Sequence, residues 1–83
     1  MKVRMHVRII PRTGLLDPQG QAITHALSAL GFDGVGDVRV GKAIEMDVEA
    51  ASVAAAEASV RTMCERLLAN PVTEDFVIEV ERT

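Results

Sequence analysis

An α+β fold with the element order β-α-β-β-α-β is predicted by three features of this sequence. Four short segments alternate apolar and polar residues, which is the period of a half-buried strand. Two further segments carry apolar residues at helical spacing. Hydrophobic residues make up 48% of the chain and charged residues 25%, a balance typical of globular proteins. Because 83 residues suffice for only one core, we expect a single domain over residues 1–83.

The first strand and first helix are predicted over residues 2–10 and about 18–30. In the strand, apolar residues alternate strictly with basic ones. The helix begins after Asp17, whose carboxylate can cap free amides, with Pro18 at the first helical position. Gly31 supplies the left-handed residue that ends many helices. The apolar stripe of this helix repeats at i, i+3, i+4 and i+7: Ile23, Ala26, Leu27 and Leu30.

The second and third strands are predicted to form a hairpin that turns at Gly41 and Lys42. The apolar residues of these two strands are Val38, Val40, Ile44, Met46 and Val48. A second helix should run from residue 52 to about 69, where Asn70 and Pro71 stop it. Its apolar stripe comprises Val53, Ala56, Val60, Met63, Cys64 and Leu67. A fourth strand alternates over Phe76, Ile78 and Val80.

This element order is that of the ferredoxin-like fold, a four-stranded antiparallel sheet of order 4-1-3-2 with both helices on one face. The charges favour the same order. The outer face of the first strand is basic, whereas those of the third and fourth strands are acidic. Since opposite charges on neighbouring strands are mildly favourable, the basic strand should lie between the two acidic ones.

Composition disfavours several classes of function. A net charge of -3 and only two aromatic residues disfavour nucleic-acid binding. No apolar run approaches the roughly 18 to 20 residues of a membrane span, and the first residues lack a signal-peptide core. The single cysteine, Cys64, permits no intrachain disulfide. We therefore expect a cytoplasmic protein that contacts neither nucleic acid nor membrane.

No candidate catalytic or metal-binding group stands out. Cys64 falls on the apolar stripe of the second helix, where core packing is the favoured role. Neither His6 nor His25 has a cysteine or carboxylate at a ligand spacing. The amides at the start of the first helix could attract phosphate, but Asp17 would cap them and repel an anion. Gly20 in the first helical turn suggests either a close backbone approach or simply a permissive helix end.

Three motifs carry a resemblance to a known family: LLDPQG at 15–20, VRVGK at 38–42 and LLANPV at 67–72. In order and spacing they resemble the PurS family, the small subunit of phosphoribosylformylglycinamidine (FGAM) synthase in purine biosynthesis. The resemblance implies a non-catalytic subunit of an ATP-dependent ligase that uses glutamine. It also implies that this chain bridges a glutaminase subunit and a large synthetase subunit, assists ammonia transfer and self-associates as a dimer or tetramer.

The resemblance further implies that this chain has no cofactor of its own, ATP and magnesium being used by the synthetase subunit. The interface candidates that it carries over are Asp17, Gln19, Gly20, Arg39, Lys42, Asn70 and Pro71. Two alternatives share the predicted element order. One is an ACT-like regulatory module that binds a small molecule. The other is a small acyl-phosphate hydrolase, for which Arg12 is present but the glycine-rich loop is not.

Overall fold

The computed structural model describes residues 1–14 and 17–81. Its elements are β1 (Lys2–Pro11), α1 (Pro18–Ala29), β2 (Lys42–Glu49), α2 (Val53–Met63) and β3 (Glu74–Val80). A π-helical turn, Cys64–Leu68, extends α2. Leu15 and Leu16 of the first motif lie outside the described residues. In the part of the chain that is described, no helix has the length and apolar character to cross a membrane.

The sheet is antiparallel and has three strands in the order β2-β1-β3. The α+β class is therefore right, but the predicted four-stranded sheet of order 4-1-3-2 is wrong. Basic β1 does lie between the acidic strands: Arg4 pairs with Asp47 on β2, and His6 pairs with Glu79 on β3. Arg4 also forms ion pairs with Glu45 at 2.9 Å and Asp47 at 3.2 Å.

The missing strand is the one predicted over Val38 and Val40. The Val40 amide donates to Asp17 Oδ2 at 2.8 Å instead of joining a sheet ladder. The Val38 carbonyl lies against Gly20 of α1. These backbone groups contact the start of α1. The segment therefore lies against that helix and pairs with no strand in the described chain. Alternating valines alone do not distinguish the two arrangements.

The core lies between the sheet and α2, which packs on β1 and β3. Its buried residues are Val3, Met5, Val7, Ile9, Val48, Ala56, Val60, Cys64 and Ala69. The π-helical turn shifts the end of the helical stripe by one residue. As a result Leu68 is half-buried against this core, whereas Leu67, predicted to face it, is 81% exposed.

Helix α1 does not pack on the sheet, so the prediction of two helices on one sheet face is wrong. Its stripe is largely uncovered: Ile23 is 42% exposed and Leu30, just beyond the helix, 73%. The molecule measures 51 × 30 × 14 Å with a radius of gyration of 16.2 Å. A compact chain of this length would have a radius of gyration of about 12 Å. The apolar spacing identified a helix, but not which surface covers it.

Candidate interface site

The interface candidates gather at one end of the sheet, where β1 ends and both neighbouring strands begin. In the sheet register Ile9 pairs with Lys42, and Pro11 pairs with Glu74. The loop between α1 and β2 reaches this end at Gly41, and the turn after α2 reaches it just before β3. Residues far apart in the sequence are thus brought to one region, which we call the β1-end region. Its members are Asp17, Gln19, Gly20, Arg39, Lys42, Asn70 and Pro71.

Asp17 ties α1 to the loop that leads into β2. It is the N-cap of α1, as predicted, and its Oδ1 accepts from the Gly20 amide at 3.2 Å. Its Oδ2 accepts from the Val40 amide at 2.8 Å. These backbone donors, Val40 first and then Gly20, lower the pKa of the Asp17 carboxyl against the opposing effect of partial burial. The carboxylate is therefore committed to structure, while Gln19 beside it is exposed.

Gly20 is buried where α1 crosses the Val38 backbone. A Cβ at Gly20 would overlap the Val38 carbonyl oxygen and lie 2.8 Å from its carbonyl carbon. A close backbone approach is therefore the reason for glycine here. Gly41 is constrained in the same way, because a Cβ there would overlap the carbonyl oxygen of Ile9. Two backbone crossings thus fix the loop against α1 on one side and β1 on the other.

Arg39 and Lys42 anchor the same loop. Nη1 of Arg39 donates to the Pro11 carbonyl and to Thr13 Oγ1, both at 3.2 Å. Its Nε lies 3.9 Å from Oδ1 of Asp37, a residue with a φ of 51°. Nζ of Lys42 lies 3.5 Å from the Leu68 carbonyl oxygen. Between the loop and α1 is an open cleft of about 460 Å³, lined by Asp17, Gln21, Thr24, His25, Asp37, Val38 and Arg39.

Asn70 and Pro71 form a turn that Arg12 holds against the sheet. Oδ1 of Asn70 accepts from the Val72 amide at 3.0 Å, and its carbonyl accepts from the Glu74 amide at 2.8 Å. The Arg12 guanidinium donates to the carbonyls of Pro71 at 2.7 Å and Val72 at 3.3 Å. These bonds hold the turn at Asn70 and Pro71 in place beside the end of β1.

The sequence did not predict that Arg12 holds this turn. Its Nε also donates to Oδ1 of Asp75 at 3.1 Å, so three of its own chain's acceptors hold the guanidinium. An arginine that cradles an acyl phosphate needs those donors free, which counts against the hydrolase alternative. The sequence showed only that Arg12 directly follows the first strand. That position does not indicate which acceptors the guanidinium bonds.

The polar groups of the described residues do not form a catalytic arrangement. Cys64 is buried, and burial raises the pKa of its thiol. His6 lies on the sheet between Glu45 and Glu81, with ring nitrogens 3.5 and 3.1 Å from their carboxylate oxygens. No set of three His, Cys, Asp or Glu side chains within residues 1–14 and 17–81 is placed to hold a metal.

Comparison with known proteins gives a consistent family. A family model described as PurS, phosphoribosylformylglycinamidine (FGAM) synthase, matches residues 4–82. The FGAM synthase subunit PurS of Bacillus subtilis is 44% identical over 80 residues, which cover 96% of this chain and 92% of that protein. That of Synechocystis sp. is 44% identical over 77 residues, covering 93% and 75% respectively.

Solved structures agree with the sequence relatives. Bacillus subtilis PurS in a C2 crystal form superimposes with a TM-score of 0.85 at 41% identity, covering 99% of this chain and 100% of that one. A chain in the structure of PurLQS from Thermotoga maritima gives a TM-score of 0.88 at 30% identity, covering 98% and 99%.

Proposed function

The chain belongs to the PurS family and is a subunit of FGAM synthase in purine biosynthesis, and from this premise we propose that it bridges the glutaminase and synthetase subunits. In this proposal the chain supplies binding surfaces, holds the two catalytic subunits together and assists the passage of ammonia between them. The partner synthetase uses ATP and magnesium, this chain carries no cofactor, and the assembly is cytoplasmic.

The observation that carries the proposal is the β1-end region. Its candidate residues sit on backbone fixed by two glycine crossings, by the Asp17 hydrogen bonds and by Arg12. A pre-organised recognition surface loses little conformational entropy on binding, which is what a bridging subunit requires. The occurrence of a matching chain in the structure of Thermotoga maritima PurLQS supports the same role.

Self-association as a dimer or tetramer is supported by two apolar surfaces that the chain does not fully cover. One is the stripe of α1, with Ile23 and Leu30 exposed. The other is the helix-side face of β2, where Ile44 and Met46 are half-buried and α2, which packs on β1 and β3, makes no extensive contact. We propose that α1 of one copy covers β2 of another. In a two-fold dimer each copy would offer both surfaces, so the contact would be made twice.

The proposal is tested by steady-state FGAM formation with two nitrogen donors. The large and glutaminase subunits are assayed with and without this chain, using glutamine in one series and supplied ammonia in the other. Glutamine-dependent synthesis should require the chain, because the two active sites must be held together. Ammonia-dependent synthesis should depend on it much less, since free ammonia reaches the synthetase by diffusion. Equal glutamine-dependent rates with and without the chain, at concentrations where the complex forms, would refute the bridging role.

A further inference from the structure

The outer face of the sheet, opposite α2, is divided into two halves of different chemistry. Toward the start of β1 it is a ladder of ion pairs: Arg4 contacts Glu45 and Asp47, and His6 lies between Glu45 and Glu81. Around Arg8 the cross-strand neighbours are apolar, and beyond it Ile10 lies opposite Asp75, whose carboxylate pairs with Arg12. Arg4 and His6 are thus occupied by carboxylates of this chain, whereas Arg8 in the second half forms no ion pair within residues 1–14 and 17–81.

Arg8 occupies the centre of this second half. Its cross-strand neighbours are Ala43 on β2 and Val77 on β3, so neither flank supplies a carboxylate. Arg8 is exposed, Val77 is 44% exposed, and within residues 1–14 and 17–81 no carboxylate oxygen comes within 4.0 Å of its guanidinium. The nearby carboxylate of Glu45 is already bonded to Arg4. An exposed arginine between apolar side chains has the composition of an interface hot spot.

Two shallow depressions adjoin at Arg8. One, of about 180 Å³, includes Val77 and is bordered by Glu45 and Glu79. The other, of about 250 Å³, is lined by Arg8, Ile10, Arg39, Gly41, Lys42 and Ala43 and by no acidic residue. The Arg39 guanidinium donates to Pro11 and Thr13, and the Lys42 ammonium lies 3.5 Å from the Leu68 carbonyl oxygen. Arg8 is therefore the charge of this depression that has no partner within residues 1–14 and 17–81. In a chain of net charge -3, an opening lined by basic and apolar residues alone is a local exception.

We propose that the Arg8 patch, comprising Arg8, Ile10, Arg39, Ala43 and Val77, binds a segment of another synthase subunit that carries an acidic side chain beside an apolar one. The inference rests on the bridging function proposed above and adds the partner's chemistry. The acidic group bonds Arg8, beside the positive charge of Arg39, and the apolar group covers Ile10 and Val77. A free anion would leave those apolar surfaces uncovered. The dimer proposed above uses the opposite sheet face, which leaves the outer face for a different protein.

The test is equilibrium binding of the chain to the other two subunits, comparing wild type with Arg8→Glu and Arg8→Gln. Lys2→Glu is the matched control, because it makes the same charge change on the same strand face, opposite Glu49. Arg8→Glu should weaken binding at least about tenfold, and Arg8→Gln by a smaller factor. Lys2→Glu should stay within about twofold. Self-association by sedimentation and the thermal midpoint should match wild type in every variant.

Binding of Arg8→Glu within about twofold of wild type would overturn the inference, as would an equal loss in Lys2→Glu. A selective loss of self-association in Arg8→Glu would overturn it too, because the face would then serve a second copy. If Arg8→Glu leaves binding and glutamine-dependent turnover unchanged, only the patch is refuted. If wild-type chain neither binds the other subunits nor supports glutamine-dependent turnover, the bridging function itself fails.

Discussion

Substituting Gly20 by alanine should release α1 from the loop that leads into β2. The added Cβ would lie 2.8 Å from the Val38 carbonyl carbon, against 3.5–4.0 Å for relaxed carbon contacts. The helix and loop must therefore separate by roughly 1 Å. The hydrogen bond from the Val40 amide to Asp17 is 2.8 Å long, so such a separation takes it past the 3.5 Å limit of a real bond.

The energetic balance sets the size of the effect. Alanine gains up to about 1 kcal/mol of helix propensity over glycine. Overpacking of a close contact costs about 1–3 kcal/mol. With the full gain in helix propensity the net loss is up to about 2 kcal/mol, and 1.4 kcal/mol is a factor of ten. Because α1 does not pack on the sheet, we expect this loss in local opening of the α1 contact, with little change in the global thermal midpoint.

Amide hydrogen exchange measures the effect directly. Protection of the Val40 amide should fall roughly tenfold in Gly20→Ala, while β1 amides keep theirs. Gly36→Ala is the matched control in the same loop, because no atom lies within 4 Å of its added Cβ. That variant should be neutral or slightly stabilising. Unchanged Val40 protection in Gly20→Ala, or an equal fall in Gly36→Ala, would refute the close-approach explanation.

Three further predictions follow from the charges and the core. The pKa of the Asp17 carboxyl is lowered in the folded chain, so the ionised carboxylate stabilises the α1 contact above the ordinary pKa of 3.8, and this stabilisation is lost as pH falls through the lower folded value. Exchange of the Val40 amide measured against pH should show the loss. Asp17→Asn should abolish this pH dependence. Arg4→Glu should lower the thermal midpoint at low salt and lower it less at high salt, because salt screens the lost ion pairs with Glu45 and Asp47. Arg66→Glu is the control, since Arg66 makes no ion pair within residues 1–14 and 17–81. Equal midpoints for Arg4→Glu and wild type at low salt would contradict the ion-pair ladder. Cys64 should react with a thiol reagent only as fast as the chain unfolds, and rapid labelling of the native protein would show that the thiol is not in the core.

Most of the sheet and the start of α1 could be predicted because local sequence encodes them. The alternation in β1 depends only on which face is buried, and the Asp17 cap depends on residues within one helical turn. The strand over Val38 and Val40 was wrongly predicted because its backbone partners, Asp17 and Gly20, are distant in sequence. Alternating valines fit a strand, and periodicity cannot weigh that against a side-chain acceptor in another element.

The candidate site was predicted from motifs, and its internal contacts were not. The resemblance pointed to Asn70 and Pro71, but the arginine that holds their turn, Arg12, lies outside all three motifs. The stripe of α1 was expected to pack on the sheet because apolar residues at helical spacing predict a buried face, whereas this stripe is largely exposed. Helical spacing does not indicate which surface, if any, a helix packs against.

The central position of β1 also constrains when the protein can fold during synthesis. β1 is made first, yet one of its two ladders needs β3, and the contact between His6 and Glu81 spans 75 positions. Until β3 emerges, β1 has an unpaired edge that another nascent chain can join. Loop closure over most of the chain must precede the final pairing, which slows folding relative to a chain built from local contacts. The alternating basic residues of β1 place like charges on that edge and so disfavour its premature pairing with another copy of itself.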